Sequence, residues 1–224
     1  ITKILNKQGI KVSQKRVARR MKLLKLRSIT VKKFNHNGNK KVNDDNKENS
    51  LAQDFKAEHP SEKWVGDITY IYTKETGWTY LAIVMDLFDL KIIGWSYGKN
   101  MTSELVISAF EKAKAARGIT EGMIFHSDLG SQYTSNEYEK ILLENNVKHS
   151  YSKKGYPYDN VSMESFNAIL KKEEVNVNTY TTFKEAKLAI FEFIESWYNN
   201  TRIHSTLDYK TPDQKYNEYL KNIA

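Results

Sequence analysis

The chain has 224 residues, a net charge of +8 and no cysteine. Its length suffices for one sizeable core with a small additional module. The missing cysteines exclude disulfides and thiolate zinc sites, and the sequence has neither an apolar run of about 18 residues for a membrane span nor a signal-peptide layout.

The positive charge is concentrated at the N-terminal end. Residues 1–33 contain twelve Lys and Arg and no Asp or Glu; because the total is +8, residues 34–224 carry a net charge of −4. An all-basic segment joined to a mildly acidic domain indicates binding to a polyanion by one end. A solvated basic tail remains the alternative, since charge alone does not exclude it.

The basic segment also has helical periodicity. Apolar residues recur at helical spacing from Ile1 to Leu5, Gly9 interrupts the pattern, and Ser13 is suited to cap a second helix. The second helix has a basic face, formed by Lys15, Arg16, Arg19 and Arg20. These features predict a helix-turn-helix-like module over residues 1–33, with the second helix toward DNA. The polar, Asn-rich residues that follow predict a linker over 34–58.

From residue 64 the pattern predicts an α/β core. Segments rich in β-branched and aromatic residues at 64–73, 79–87 and 91–97, separated by short turns, predict a three-strand antiparallel meander. Two further strands are predicted at 122–128 and 147–151, and helices at 103–116, 136–144, 161–173 and 182–198. The predicted fold is a mixed sheet flanked by helices.

Three acidic residues of this core are candidates for chemistry. Asp67 lies inside the first strand, where Asp is disfavoured, and Asp128 ends the strand at 122–128. Glu164 lies on a helix, on one stripe with Asn160, Asn167 and Lys171 and away from the apolar side. Three carboxylates from two strands and a helix suit hard divalent cations such as Mg²⁺. Two ions about 4 Å apart would suit phosphodiester chemistry.

Chance remains the alternative for this choice of acids. The chain has 27 Asp and Glu residues, and Asp86 and Asp89 also border strands. The residue types alone therefore favour the trio only modestly.

Four stretches resemble one enzyme family. They are WVGDITYI, HSDLGSQYTS, KKGYPYDNVSMESFNAILKKE and WYNNTRIHSTLDYKTPDQ, in that order along the chain. The first three are similar to the integrase-type core of DDE transposases, and 35 residues separate Asp128 from Glu164, the spacing that names the D,D-35-E group. The chain resembles the OrfB-type catalytic subunit of the insertion-sequence-three family, which is related to retroviral integrases.

The resemblance implies a fold, a site and a reaction. The fold is RNase H-like over residues 59–224, with C-terminal helices. Asp67, Asp128 and Glu164 would bind two Mg²⁺ or Mn²⁺ ions for DNA cleavage and strand transfer. Lys171 matches a position that is usually basic and suits a DNA phosphate, with Asn160 and Asn167 on the same stripe.

The resemblance also implies partners and a location. The partners are the terminal inverted repeats of the element, target DNA, further copies of the chain, and an OrfA-type upstream frame as a separate protein or fusion. The place of action is the bacterial cytoplasm, at the nucleoid, with no membrane partner.

The chain departs from the family pattern at two places. Asp89 and Leu90 replace a small polar residue and a basic residue, which we expect to weaken a DNA or structural contact. The tyrosine-and-glycine opening of the N-terminal module is missing, so we interpret the module as truncated at Ile1.

Other polar residues have two interpretations each. His126 assists the metal site or binds phosphate, or else is a hydrogen-bonded, partly buried histidine. Arg202 and His204 tie the last helix to the core, with DNA contact as the second choice. At the level of the whole chain, the alternatives to a transposase are a nuclease of this fold without joining activity and a truncated DNA-binding regulator.

The charge distribution leads to a prediction about DNA affinity. If about six of the twelve N-terminal cations contact phosphates, they contribute about −5 to the slope of log K against log salt concentration. Deleting residues 1–33 should flatten that slope and leave the core folded. The measurement is a salt titration of DNA binding for both proteins, and equal slopes would contradict the prediction.

Overall fold

The computed structural model describes residues 1–28, 48–153 and 157–223. The chain divides into two compact units, Ile1–His36 and Asn37–Ala224. No helix of the described residues is long and apolar enough to cross a membrane. Residues 29–47, which hold the end of the predicted basic module and most of the predicted linker, lie outside the described part.

The N-terminal unit contains the two predicted helices. Helix α1 spans Thr2–Lys7 and α2 spans Gln14–Leu23. The predicted cap is confirmed, since the Ser13 hydroxyl accepts a hydrogen bond from the Arg16 backbone N–H at 3.3 Å. The four basic side chains predicted to face DNA are exposed: Lys15, Arg16, Arg19 and Arg20. Their contact with DNA stays a prediction.

The second unit is built on a five-stranded mixed sheet. Its strands are β1 (Lys63–Thr73), β2 (Gly77–Asp86), β3 (Lys91–Gly98), β4 (Ile124–Ser127) and β5 (Lys148–Tyr151). Their order is β3-β2-β1-β4-β5. The predicted meander of β1, β2 and β3 is antiparallel, as expected, while β4 pairs in parallel with both β1 and β5.

Five helices accompany the sheet. They are α3 (Ser103–Arg117), α4 (Asn136–Glu144), α5 (Val161–Leu170), α6 (Phe183–Phe191) and α7 (Pro212–Ile223). Side chains of β2 alternate between two cores because successive residues of a strand face opposite sides. Leu81 and Ile83 pack with α5 and α6, whereas Ala82 and Val84 pack with α3 and α4. The fold is therefore three-layered, with helices on both faces of the sheet.

Two predicted helices change geometry before they end. The helix predicted at 161–173 is α-helical to Leu170 and continues as a π-helical segment, Lys171–Val175. The helix predicted at 182–198 does the same, with a π-helical segment over Glu192–Tyr198. Residue propensities do not distinguish the two helix types. The segments are linked, because Glu173 accepts hydrogen bonds from Trp197 at 3.0 Å and Arg202 at 3.2 Å.

The described end of the predicted linker is attached to the core. Leu51 is 2 % exposed and belongs to the cluster that packs under α5 and α6. Leu51 and Phe55 stand apart among mostly polar residues and give little periodic signal in the sequence, which is why the pattern predicts a linker over residues 48–58. The boundaries of the linker and of the domains stay a prediction.

A buried ion cluster explains the unusual Asp89. The Arg117 guanidinium pairs with Asp86 at 3.0 Å and with Asp89, and it stacks on the Tyr216 ring at 3.7 Å. Burial raises the pKa of Asp89 to about 6, against the lowering effect of Arg117. Asp89 thus makes a strong structural contact, contrary to the expectation that it weakens one.

The approach of α3 to β3 generates a stability prediction. A Cβ at Gly94 would lie 2.2 Å from the Ala109 carbonyl oxygen and 2.6 Å from the Ala113 nitrogen, both backbone atoms. Gly94→Ala should therefore lower the free energy of unfolding by about 2 kcal/mol or more. Chemical denaturation would measure the loss.

A matched substitution lies in the same strand. A Cβ at Gly98 meets the Leu105 Cδ1 atom at 2.9 Å, the end of a flexible side chain that can move. Gly98→Ala should therefore lower the free energy of unfolding clearly less than Gly94→Ala does. Equal losses of stability for the two variants would contradict the close packing of α3 on β3.

Candidate active site

The sheet register brings two of the predicted acids side by side. Val65 on β1 pairs with His126 on β4. Asp67 and Asp128 each follow that pair by two residues, and the strands run parallel. Since neighbouring strands lie about 4.8 Å apart and side chains repeat every two residues, the two carboxylates are neighbours on the same side. Asp67 is half-buried, whereas Asp128 is exposed at the end of β4.

Helix α5 docks on β1 through its polar stripe. The Asn160 amide donates to the Gly66 carbonyl at 3.2 Å, the Asn167 amide donates to the Asp67 carboxylate at 2.6 Å, and the Lys171 ammonium donates to the Tyr70 carbonyl. Pairing between β1 and β4 ends at Val65, so these donors meet β1 where its parallel neighbour is missing. The stripe that the sequence assigned to DNA contacts thus binds the strand that carries Asp67.

The charges of the three acids interact. Burial is the main cause that raises the pKa of Asp67 to about 7, the negative charge of Asp128 is the second, and that of Glu164 adds a smaller rise. The Ile68 N–H and the Asn167 amide act in the opposite direction. The negative charges of Asp128, at the end of β4, and of Glu164, on α5, therefore both act on the Asp67 carboxylate of β1.

The floor of the site is tightly packed. A Cβ at Gly66 would lie 2.6 Å from the Phe125 ring and 3.2 Å from the Tyr133 hydroxyl oxygen. Burial, with the charges of Tyr138, Asp67 and Asp128, raises the pKa of Tyr133 well above its usual value. Sequence reasoning missed Gly66 and Tyr133, although both adjoin a predicted acid within a quoted motif.

The donor set fits a hard cation. Excess negative charge around Asp67 is what a bound cation neutralises, and the Oδ1 atoms of Asn160 and Asn167 are buried without a hydrogen-bond partner among the described residues. Within residues 48–153 and 157–223, however, no three His, Cys, Asp or Glu side chains already form a metal cage. The negative charge around Asp67 and the buried amide oxygens suit Mg²⁺, which binds one or two carboxylates and keeps several waters.

The structure places the remaining predicted residues elsewhere. Both ring nitrogens of His126 are engaged, with the Ser150 and Ser152 hydroxyls at 2.9 Å each, and burial lowers its pKa to about 4. Of the two interpretations of His126, the structure therefore favours the buried, hydrogen-bonded histidine over a residue that assists the metal site or binds phosphate. Arg202 pairs with Glu173 and the His204 ring packs on Tyr198, so both tie the end of α6 to the core.

Two family models match the chain. Both are described as an integrase core domain, one over residues 57–157 and the other over residues 145–212. Together they span more than half of the sequence. They include all the elements of the sheet and α5.

Relatives agree with these matches. The transposase for insertion sequence element IS904 of Lactococcus lactis subsp. lactis is 43% identical over 97% of this chain and 86% of its own length. Transposase InsF for insertion sequence IS3A of Escherichia coli is 37% identical over 100% of this chain and 76% of its own length.

Solved structures confirm the RNase H-like fold. A chain of the simian T-cell lymphotropic virus intasome superposes with a TM-score of 0.57 at 24% identity, over 70% of this chain and 54% of that chain. The trimeric form of the HTLV-2 integrase catalytic core domain in complex with magnesium superposes with a TM-score of 0.53 at 22% identity, over 70% of this chain and 97% of that chain. With relatives of 37% and 43% identity along nearly its whole length, the chain belongs to the insertion-sequence-three family of transposases, whose catalytic domain is an integrase core.

Proposed function

We propose that this transposase cleaves and joins DNA at Asp67, Asp128 and Glu164, with Mg²⁺ or Mn²⁺ as cofactor. The observation that carries the proposal is geometric: the parallel register of β1 and β4 brings Asp67 beside Asp128, and α5, which carries Glu164, docks on β1 with the Asn167 amide on the Asp67 carboxylate. Burial together with the charges of Asp128 and Glu164 raises the pKa of Asp67 to about 7, in agreement with this arrangement. Clustered carboxylates with shifted pKa values are typical of functional sites. Attack of water on one phosphodiester would break its P–O3′ bond and release a 3′-hydroxyl and a 5′-phosphate. That 3′-hydroxyl would attack a second phosphodiester in the same site, forming a new P–O bond and releasing the 3′-hydroxyl of the attacked strand.

Each acid has a role in holding two metal ions. Asp67 is fixed by the Asn167 amide, and Asp128 is fixed at its Oδ1 by the Gly130 N–H at 2.9 Å, which leaves further lone pairs on both carboxylates. Bound ions supply activation of the attacking oxygen and stabilisation of the leaving oxygen. The frame of β1 and α5 would supply positioning, which together with electrostatic stabilisation accounts for most of phosphoryl-transfer catalysis.

The proposed substrate is DNA, bound by both units. The exposed Lys15, Arg16, Arg19 and Arg20 of α2 contact phosphates of the element's terminal repeats. Lys171, Asn160 and Asn167 lie beside the acids, where a scissile phosphate must pass. All three side chains donate hydrogen bonds to β1. We therefore propose that they contact DNA only at the phosphate that lies beside the metal ions.

The proposal extends to partners and place. Synapsis of two element ends requires further copies of the chain, and an OrfA-type upstream frame is the proposed partner or fusion. Bacterial relatives named as transposases support action on the chromosome, hence in the cytoplasm at the nucleoid. A nuclease without joining activity would give cleavage but no strand-transfer product from a pre-nicked end.

The third carboxylate is tested by Glu164→Gln. Gln keeps the size and the helix propensity of Glu, so the fold and DNA binding should be nearly unchanged. The loss of one charge and one ligand should reduce nicking of a labelled element end by about a thousandfold or more. Gel shift would verify binding.

The matched control is Glu144→Gln on α4. Glu144 is a surface residue whose carboxylate lies 3.8 Å from the Lys140 ammonium, one helical turn away. This change should leave nicking within about twofold, because exposed ion pairs contribute little. If Glu164→Gln nicks DNA as fast as Glu144→Gln, the assignment of Glu164 is wrong.

The cofactor is tested by exchanging metals. Mg²⁺ and Mn²⁺ should support nicking, EDTA should abolish it, and Ca²⁺ should support DNA binding without nicking because its looser coordination misplaces the reacting oxygens. Nicking and gel shifts in each condition are the measurements. Undiminished nicking in EDTA would exclude the metal-dependent mechanism.

A further inference from the structure

A buried carboxylate lies close before the helix that carries Glu164. Asp159 is 2 % exposed. Its oxygens accept hydrogen bonds from Asn49 Nδ2 at 3.0 Å, Gln53 Nε2 at 2.8 Å and the Lys153 backbone N–H at 2.9 Å. A carboxylate removed from water requires such donors. These three donors hold the orientation of the Asp159 carboxylate.

Two of the donors come from outside the matched catalytic region. Asn49 and Gln53 precede residue 57, where the first integrase core model begins. The backbone around them is unusual, since Ala52 and Gln53 have φ of 47° and 63° in the left-handed region. Non-glycine residues keep such a conformation when surrounding contacts impose it. One such contact closes the turn, because the Ala52 N–H donates to Asn49 Oδ1 at 2.9 Å.

The same segment is linked through Ser150 of β5 to the strand end that carries Asp128. The Leu51 N–H donates to the Ser150 hydroxyl at 2.9 Å, and that hydroxyl is hydrogen-bonded to His126 Nδ1 at 2.9 Å. At the start of the segment, the Glu48 carbonyl accepts a hydrogen bond from the Tyr151 N–H at 3.1 Å. His126 precedes Asp128 by two residues. Residues 48–53 therefore connect β5, the end of β4 and the entry to α5.

Asp159 is linked to the acids on its other side. The next residue, Asn160, donates to the Gly66 carbonyl, one residue before Asp67. Glu164 follows Asp159 by five residues, and since a helical turn takes 3.6 residues, it lies in the first turns of α5. A shift of Asp159 would therefore change where α5 begins and where the Glu164 carboxylate points.

We propose that Asp159 is a positioning residue of the active site and that residues 49–53 are the clamp that holds it. The inference rests on the proposed function of Glu164. Residues 49–53, which precede the integrase core match, would then help to position the catalytic carboxylate of Glu164. Asp159 touches no reacting atom, and it acts by fixing the entry of α5 so that Glu164 meets Asp67 and Asp128.

The test uses the full chain and single-turnover nicking of a labelled element end. Asp159→Asn keeps the shape but places an amide donor where Oδ1 accepts from Gln53 Nε2, so that two donors face each other. It should slow nicking by about tenfold to a hundredfold, as small displacements of catalytic groups do, while the Kd for DNA stays within about twofold. Gln53→Ala removes one exposed donor without burying a new group, and should slow nicking several-fold in a folded protein.

A rescue variant distinguishes positioning from stability. Asp159→Asn combined with Gln53→Glu restores a donor–acceptor pair in the opposite direction. The amide introduced at position 159 can donate to the carboxylate introduced at position 53, and its carbonyl oxygen can still accept from the Lys153 N–H. We expect the double variant to recover most of the nicking rate. Asp86→Asn is the control for stability, since Asp86 is another fully buried carboxylate with two backbone N–H donors, at Ser61 and Phe88.

The outcomes separate the two levels of the proposal. If Glu164→Gln is inactive but Asp159→Asn and Gln53→Ala nick DNA at the wild-type rate, the clamp is wrong and the proposed function stands. If Asp159→Asn loses activity only in proportion to its lower Tm, as Asp86→Asn does, and the double variant gives no recovery, the role is structural and the inference is overturned. If Glu164→Gln is fully active, the proposed function fails and the clamp with it.

Discussion

The site depends on the way a helix replaces a strand beside β1. Parallel pairing of β4 with β1 stops at Val65, and α5 continues the contact with side-chain donors to the Gly66 and Tyr70 carbonyls. Backbone polar groups must be satisfied wherever they are buried, so a strand that loses its neighbour needs donors from elsewhere. This requirement fixes the rotation of α5 about its axis, and with it the direction of Glu164.

Several properties of the site follow from that arrangement. Asp67 lies two residues past Val65, the last residue of β1 that pairs with β4, yet it is buried enough for its pKa to rise to about 7. A Cβ at position 66 would lie 2.6 Å from the Phe125 ring, so glycine lets β1 lie close to this ring beside Asp67. The charges of Asp128 and Glu164 disfavour the ionised form of Asp67, and a bound cation would favour it.

Much of this was predictable, and the failures have physical causes. The apolar side of α5 is buried at Met163, Phe166 and Leu170, as helical periodicity requires. The polar stripe was visible too, but a sequence does not tell whether an amide faces a nucleic acid or a neighbouring carbonyl. Leu51 carried too little local pattern to reveal its burial. Asp159 was missed for the same reason, since its partners at 49 and 53 are over a hundred residues away.

The ion cluster around Arg117 has a consequence for synthesis of the protein on the ribosome. Arg117 ends α3, and its acidic partners Asp86 and Asp89 precede it, so these groups can meet early. The Tyr216 ring that covers the guanidinium emerges about a hundred residues later. Domains generally fold as units during elongation. Because α7 is synthesised last, the Tyr216 ring can cover the guanidinium of this cluster only after the rest of the domain has been made.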